Sequence, residues 1–187
     1  MNPQLKTLEQ LQHTFDSGLT RPLSWRQQQL KQLSRFLEDH EKDLLDALQQ
    51  DLGKCPSESQ LTEIQFLKTD ITHTLNALRG WVKPRKVSNP ILAWPAKSVI
   101  VPEPLGTVLV LGAWNYPVQL TLAPLIAAIS AGNCAVIKPS EHAQATAGVF
   151  EKCLVNYLDS AAFKVVTGGV DVSQQLTELP FDHIFYT

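Results

Sequence analysis

Three absences narrow the field before any motif is considered. There is no long apolar run: the longest, residues 118–131, is interrupted by Gln119, Thr121 and Pro124 and is too short to span a bilayer. There is no excess of one charge, with 16 Lys+Arg against 18 Asp+Glu and a net charge of -2, so nothing points to nucleic acid or to an anionic membrane. Cysteine is scarce. Cys55, Cys134 and Cys153 are odd in number and in no C-x-x-C pair, which argues against a disulfide framework and fits a reducing compartment. The opening segment, residues 1–15, carries Lys6 and Glu9 and no apolar stretch before a cleavage site, so a signal peptide is not expected. The expectation is a cytoplasmic globular protein, with 44% apolar residues, enough for one substantial core or two small ones.

Common catalytic signatures are missing as well. Gly53-Lys54 resembles the end of a phosphate-binding loop. However, Leu48 stands where its first glycine belongs and Cys55 where a magnesium-binding Ser or Thr belongs, so Gly53 reads as a helix stop. The histidines, at 13, 40, 73, 142 and 183, show no metal-ligand spacing. There is no G-x-S-x-G, no paired-carboxylate site and no G-x-G-x-x-G.

What is present divides into two patterns. The first half reads as helix. A segment over 5–16 is closed by Ser17-Gly18. A run then carries Leu30, Leu33 and Leu37 followed by Leu44, Ala47 and Leu48, up to Gly53. A third helix has Leu61, Ile64, Leu67, Ile71, Leu75 and Leu78 on one face and ends near Gly80 and Pro84. Residues 87–104 hold Pro90, Pro95, Pro102 and Pro104, which exclude a continuous helix. Ser98 to Val101 is expected as a short strand within this crossing.

From Gly106 the pattern becomes strand alternating with helix. Strands are expected over 107–111, 134–137, 163–166 and 182–186. Helices are expected from Pro117 towards Ser130, kinked at Pro124, and over 142–158 and 171–178. This alternation predicts an α/β fold, a helical amino-terminal layer followed by a doubly wound parallel, Rossmann-like sheet. Ligands bind at the carboxyl ends of such strands. Two of those ends stand out. In residues 112–117, Asn115 by itself is adequately explained as a turn residue. In residues 138–141, Ser140 suits a helix N-cap and Glu141 suits the positive end of a helix. Lys138 is left over, and is read as an exposed cation where a dinucleotide ribose would lie.

Residues 104–117 (PLGTVLVLGAWNYP), 131–141 (AGNCAVIKPSE) and 181–187 (FDHIFYT), in this order and spacing, resemble the first, second and fourth strands of aldehyde dehydrogenases. Residues 15–21 (FDSGLTR) resemble the class 3 branch. The resemblance covers essentially all of the chain but less than half of a family member. It implies a helical segment over 1–103 leading into a partial NAD(P)-binding domain over 104–187. It also implies oxidation of an aldehyde to a carboxylic acid with NAD or NADP, and relatives that are usually homodimers. Asn115 becomes the amide that steadies an oxyanion, Lys138 and Glu141 the residues at the adenosine ribose, and Trp114 a lining residue of the cofactor groove. No metal is implied.

The family's Gly-rich turn after the fourth strand, its general-base glutamate and its nucleophilic cysteine fall outside these residues. The chain alone is therefore expected to be inactive, a fragment of such an enzyme. The alternatives are a stand-alone nucleotide-binding or interaction module, or one half of a split enzyme. The last strand is expected to present Ile184, Phe185 and Tyr186 on an exposed edge.

Overall fold

The apolar stripes of the first half fold onto one another as helices. The computed structural model describes residues 3–187. It opens with α1 (Pro3–Asp16), α2 (Leu23–Asp39), α3 (Glu41–Leu52), a short α4 (Pro56–Ser59) and, after a wide π-turn (Gln60–Gln65), α5 (Phe66–Trp81). Most of the residues that set the periodicity are buried: Leu30, Leu33 and Leu37 in α2, Leu44 and Leu48 in α3, Leu67, Ile71 and Leu78 in α5. A two-stranded antiparallel ribbon follows, β1 (Arg85–Val87) with β2 (Ser98–Ile100).

Four parallel strands come next, β3 (Thr107–Leu111), β4 (Cys134–Lys138), β5 (Phe163–Val165) and β6 (His183–Tyr186), linked by α6 (Gln119–Ala131), α7 (Gln144–Lys152) and α8 (Val170–Thr177). Their order is β5-β4-β3-β6. The chain steps from β3 to β4 to β5 and then returns to the far side of β3, so the order reverses between β3 and β6. Every residue of β3 and β4 is buried, as expected of strands covered on both faces. Full burial of a Val, Leu or Ile side chain contributes about 1.5–3 kcal/mol, so these two strands anchor the sheet. The helices share this core: one apolar cluster contains Leu33, Phe36, Leu67 and Ile71 together with Val108, Val136 and Ile129.

The structure departs from the sequence expectations at five places. The run over 30–48 is two helices, broken at His40, which ends α2 and starts α3 with φ -112 and ψ 20. Its Nδ1 lies 2.8 Å from Asp43 Oδ2, and Glu41 and Asp43 sit in the first turn of α3, where carboxylates favour a helix start. Leu61, expected on a buried face, is 70% exposed. Glu63 faces inward there instead, beside Ile64, which is buried as expected. β1 was not anticipated, because Arg85-Lys86-Val87 has no apolar alternation and pairs only with its own ribbon partner. The helix expected over 142–158 is shorter. It ends at Lys152, whose carbonyl accepts a bond from the Asn156 side chain, and a tight turn at Leu154–Asn156 follows. Ser140, finally, is not the N-cap of α7. Its Oγ accepts from His142 N–H in the turn before that helix.

Candidate functional site

The carboxyl ends of β3, β4 and β6 open onto one cleft of about 710 Å³, whose lining includes Trp114, Asn115, Lys138, Glu141, Ser173 and Tyr186. It lies at the reversal of strand order, where open α/β sheets bind ligands. The four sequence-selected residues therefore share one cavity, two on the loop after β3 and two at the end of β4.

Lys138 differs from expectation. It is not exposed: as the last residue of β4 it is 3% exposed, and its Nζ donates to Glu141 Oε2 at 2.6 Å. A cation at a buried strand end needs a partner, and the following turn brings one back three residues later. The Lys138 ammonium in turn holds the Glu141 carboxyl below the usual carboxylate range. Glu141 stays partly exposed, so the pair presents a carboxylate to the cleft. The residue that caps α7 comes from elsewhere. Asp51, at the end of α3, accepts from Ala145 N–H and Thr146 N–H at 2.9 and 2.8 Å and from the Thr146 hydroxyl at 2.8 Å.

The loop after β3 begins at Gly112, where a Cβ would collide with Thr121 Oγ1, so no larger residue fits against α6. Trp114 is 56% exposed and Asn115 is exposed on the same loop. The loop is held from the helical layer. Glu63, fully buried, accepts Val118 N–H and Gln119 N–H on Oε2 at 2.9 and 3.2 Å. Its Oε1 accepts from Lys54 Nζ at 2.7 Å. Lys54 also donates to the Asn115 carbonyl at 2.9 Å and lies 3.6 Å from the Tyr116 ring centroid.

This arrangement gives the missing G-x-G-x-x-G a physical counterpart. In the common dinucleotide folds the first strand–helix turn offers free helix amides to a pyrophosphate. Here a carboxylate occupies those amides, so an anion has no place at the start of α6.

Sequence reading passed over Lys54, Glu63 and Asp51. One signal was available for Glu63. It lies four residues before Leu67 and eight before Ile71, in the π-turn that leads into the apolar stripe of α5, where a carboxylate has no place without a buried partner. Lys54 and Asp51 carry no comparable mark.

None of the cysteines reaches the cleft's lining. Cys134 starts β4 at the end of the strand opposite Lys138, and burial pushes its thiol up to about 12. Cys55 is exposed between α3 and α4, and Cys153 follows α7. Among the described residues no group of His, Cys, Asp and Glu forms a metal site, and no helix is long and apolar enough to cross a membrane.

Comparison with known proteins identifies the family and supports the fold. Residues 6–185 match the model of the aldehyde dehydrogenase family. Aldehyde dehydrogenase family 3 member H1 of Arabidopsis thaliana is 44% identical over 95% of this chain, which corresponds to 37% of that protein. Family 3 member B1 of Bos taurus is 44% identical over 100% of the chain and 40% of its own length. The substrate-bound structure of AldH from Staphylococcus aureus superposes with a TM-score of 0.97 at 39% identity, covering 100% of this chain and 41% of that one. The chain thus spans about two fifths of the relatives it matches. With its family model, its relatives and its fold in agreement, this chain belongs to the aldehyde dehydrogenase family.

Proposed function

We propose that these residues form the cofactor-binding part of an NAD(P)-dependent aldehyde dehydrogenase, an oxidoreductase that converts an aldehyde to a carboxylic acid. Residues 1–103 are the helical segment leading into the cofactor domain and residues 104–187 a portion of that domain. The observation that carries the reading is the joint placement of Trp114, Asn115, Lys138 and Glu141 on one cleft at the strand reversal.

The residues suit a dinucleotide. Glu141 presents a carboxylate able to accept from ribose hydroxyls, the recognition that acidic residues give in related folds. Lys138 neutralises that carboxylate and lowers the penalty for a 2′-phosphate, so both NAD and NADP are ligands to test. Trp114 offers an exposed ring face to the groove. When bound, the nicotinamide supplies the acceptor for the hydride that leaves the aldehyde carbon. Asn115 directs its side-chain amide towards the oxygen on which negative charge develops. A preorganised donor of this kind contributes about 2.7–4 kcal/mol. The nucleophilic thiolate is supplied from outside these residues, since none of the chain's cysteines lines the cleft that holds Asn115, and the chain alone is without turnover.

The test is an NMR titration of the chain with NAD and NADP, paired with an absorbance assay using hexanal or benzaldehyde. Expected are weak, saturable shifts at residues 111–115, 138–141 and 170–177, diminished by Glu141→Ala, and no cofactor reduction. Shifts confined to other surfaces, or none at millimolar cofactor, would sink the reading. Tight binding that depends on Lys138 would favour instead a stand-alone nucleotide-binding module, which the intact Lys138–Glu141 pair also suits.

A further inference from the structure

We propose that Glu63, braced by Lys54, caps helix α6 from outside so that the Asn115 side chain stays free to meet a ligand. Both are then positioning residues for Asn115. The inference rests on the reading of Asn115 given above.

The first turn of α6 begins early, with Leu120 N–H donating to the Tyr116 carbonyl at 2.8 Å. The amides of Val118 and Gln119 then need acceptors from outside the helix. A local cap places a side-chain oxygen two or three residues before the amide it serves. For these two amides the available positions are Asn115, Tyr116 and Pro117. Proline has no such oxygen, and the tyrosine ring lies against Lys54. Asn115 is the remaining candidate, and asparagine is among the strongest N-caps. Left to local chemistry, its side chain would turn inward onto Val118 N–H and be consumed.

Glu63 removes that option. Its Oε2 already holds both amides, and its Oε1 is held by Lys54. The second bond of Lys54 fixes the Asn115 carbonyl. The backbone is thus tied on both sides of Pro117, while the Asn115 side-chain amide has no partner among the described residues. A donor whose backbone is fixed and whose side chain is unspent has the preorganisation that stabilisation of developing charge requires. The competing view is that a buried ion pair simply fastens the loop to the helical layer.

A double-mutant cycle on the chain separates the two. Replacing both partners by apolar residues of similar shape, Lys54→Met with Glu63→Leu, leaves no orphaned buried charge and is compatible with folding. Asn115→Ala is then made in the wild type and in this background, and urea unfolding is measured for all four proteins. In the wild type the change should alter the unfolding constant by less than about twofold, as for a surface residue. In the apolar background it should raise that constant about fivefold or more, because Asn115 has become the cap. The Val118 backbone N–H, followed by hydrogen exchange, should stay protected when Asn115 is replaced in the wild type and lose protection when it is replaced in the apolar background, a change that a mere fastener would not produce. Equal effects of Asn115→Ala in both backgrounds, with no change in that protection, would overturn the proposal. The cycle uses no ligand. Failure of the oxyanion reading shows only in Asn115 signals that ignore bound cofactor and aldehyde, so the two failures are distinct.

Discussion

β4 and β6 flank the same strand and share its direction, yet they are different kinds of strand. β4 is buried at all five positions, with β5 on its outer side. On β6, by contrast, Ile184 is 38% and Tyr186 83% exposed, and β3 is its hydrogen-bonding neighbour in the sheet. The cleft therefore has one wall built from the core and one built at an edge. Of the residues with candidate chemistry, Lys138 and Glu141 stand on the first wall and Asn115 on the loop after β3 between the two, and none stands on β6. Side-chain placement on the first wall is set by packed and hydrogen-bonded supports.

Deleting core on each wall gives the largest contrast. Ile137→Ala on β4 should cost about 2–5 kcal/mol, as for other buried isoleucines, whereas Ile184→Ala on β6 should cost less than about 1 kcal/mol. Urea unfolding of both variants measures it, and equal costs would break the comparison. Next comes the edge itself. An exposed strand with apolar side chains templates pairing between chains, so Ile184→Lys should reduce self-association in sedimentation velocity without lowering the unfolding midpoint.

Thiol labelling sharpens the contrast from the core side. Cys134 on β4 is buried with its thiol pushed up to about 12, so it should resist iodoacetamide at pH 8 until the chain unfolds, while exposed Cys55 reacts at once. Mass spectrometry of labelled peptides decides it. The smallest effect concerns pH. The Lys138 ammonium holds the Glu141 carboxyl below its ordinary range. The stabilisation from the pair is therefore complete above the ordinary carboxylate pKa and is lost as pH falls through the depressed value of the folded chain. Glu141→Gln should thus be slightly destabilising at pH 7 and neutral in strong acid.

The strands on both walls were legible in the sequence, and for a local reason. Val108 to Leu111, between Gly106 and Gly112, and Ala135 to Ile137, between Gly132 and Pro139, are continuous apolar runs, and each run states its own burial. Helix spans were read less well wherever a boundary depends on a partner. The break at His40 rests on a side-chain contact with Asp43, and the end of α7 on the Asn156 amide. The candidate site was legible in part. Trp114, Asn115, Lys138 and Glu141 were found from strand ends and resemblance. The burial of Lys138 was missed because pairing with Glu141 across a turn is a tertiary fact. Lys54 and Asp51 were invisible, and Glu63 was overlooked, for a related reason. Each acts on backbone amides or carbonyls far along the chain, and a backbone amide leaves no trace in the identity of the residue that carries it.

The helix starts that Asp51 and Glu63 serve have a kinetic side. The bonds from Asp51 to α7 close a span of 94 and 95 residues, and the bond from Glu63 to Val118 a span of 55. Contacts so distant in sequence are reached only after long loops have been closed. The first turns of α6 and α7 are therefore expected to lock only when the helical layer docks. Substitutions at Asp51 or Glu63 accordingly act on the far side of the folding barrier: they leave the rate of folding nearly unchanged and hasten unfolding, the signature of φ-values near zero.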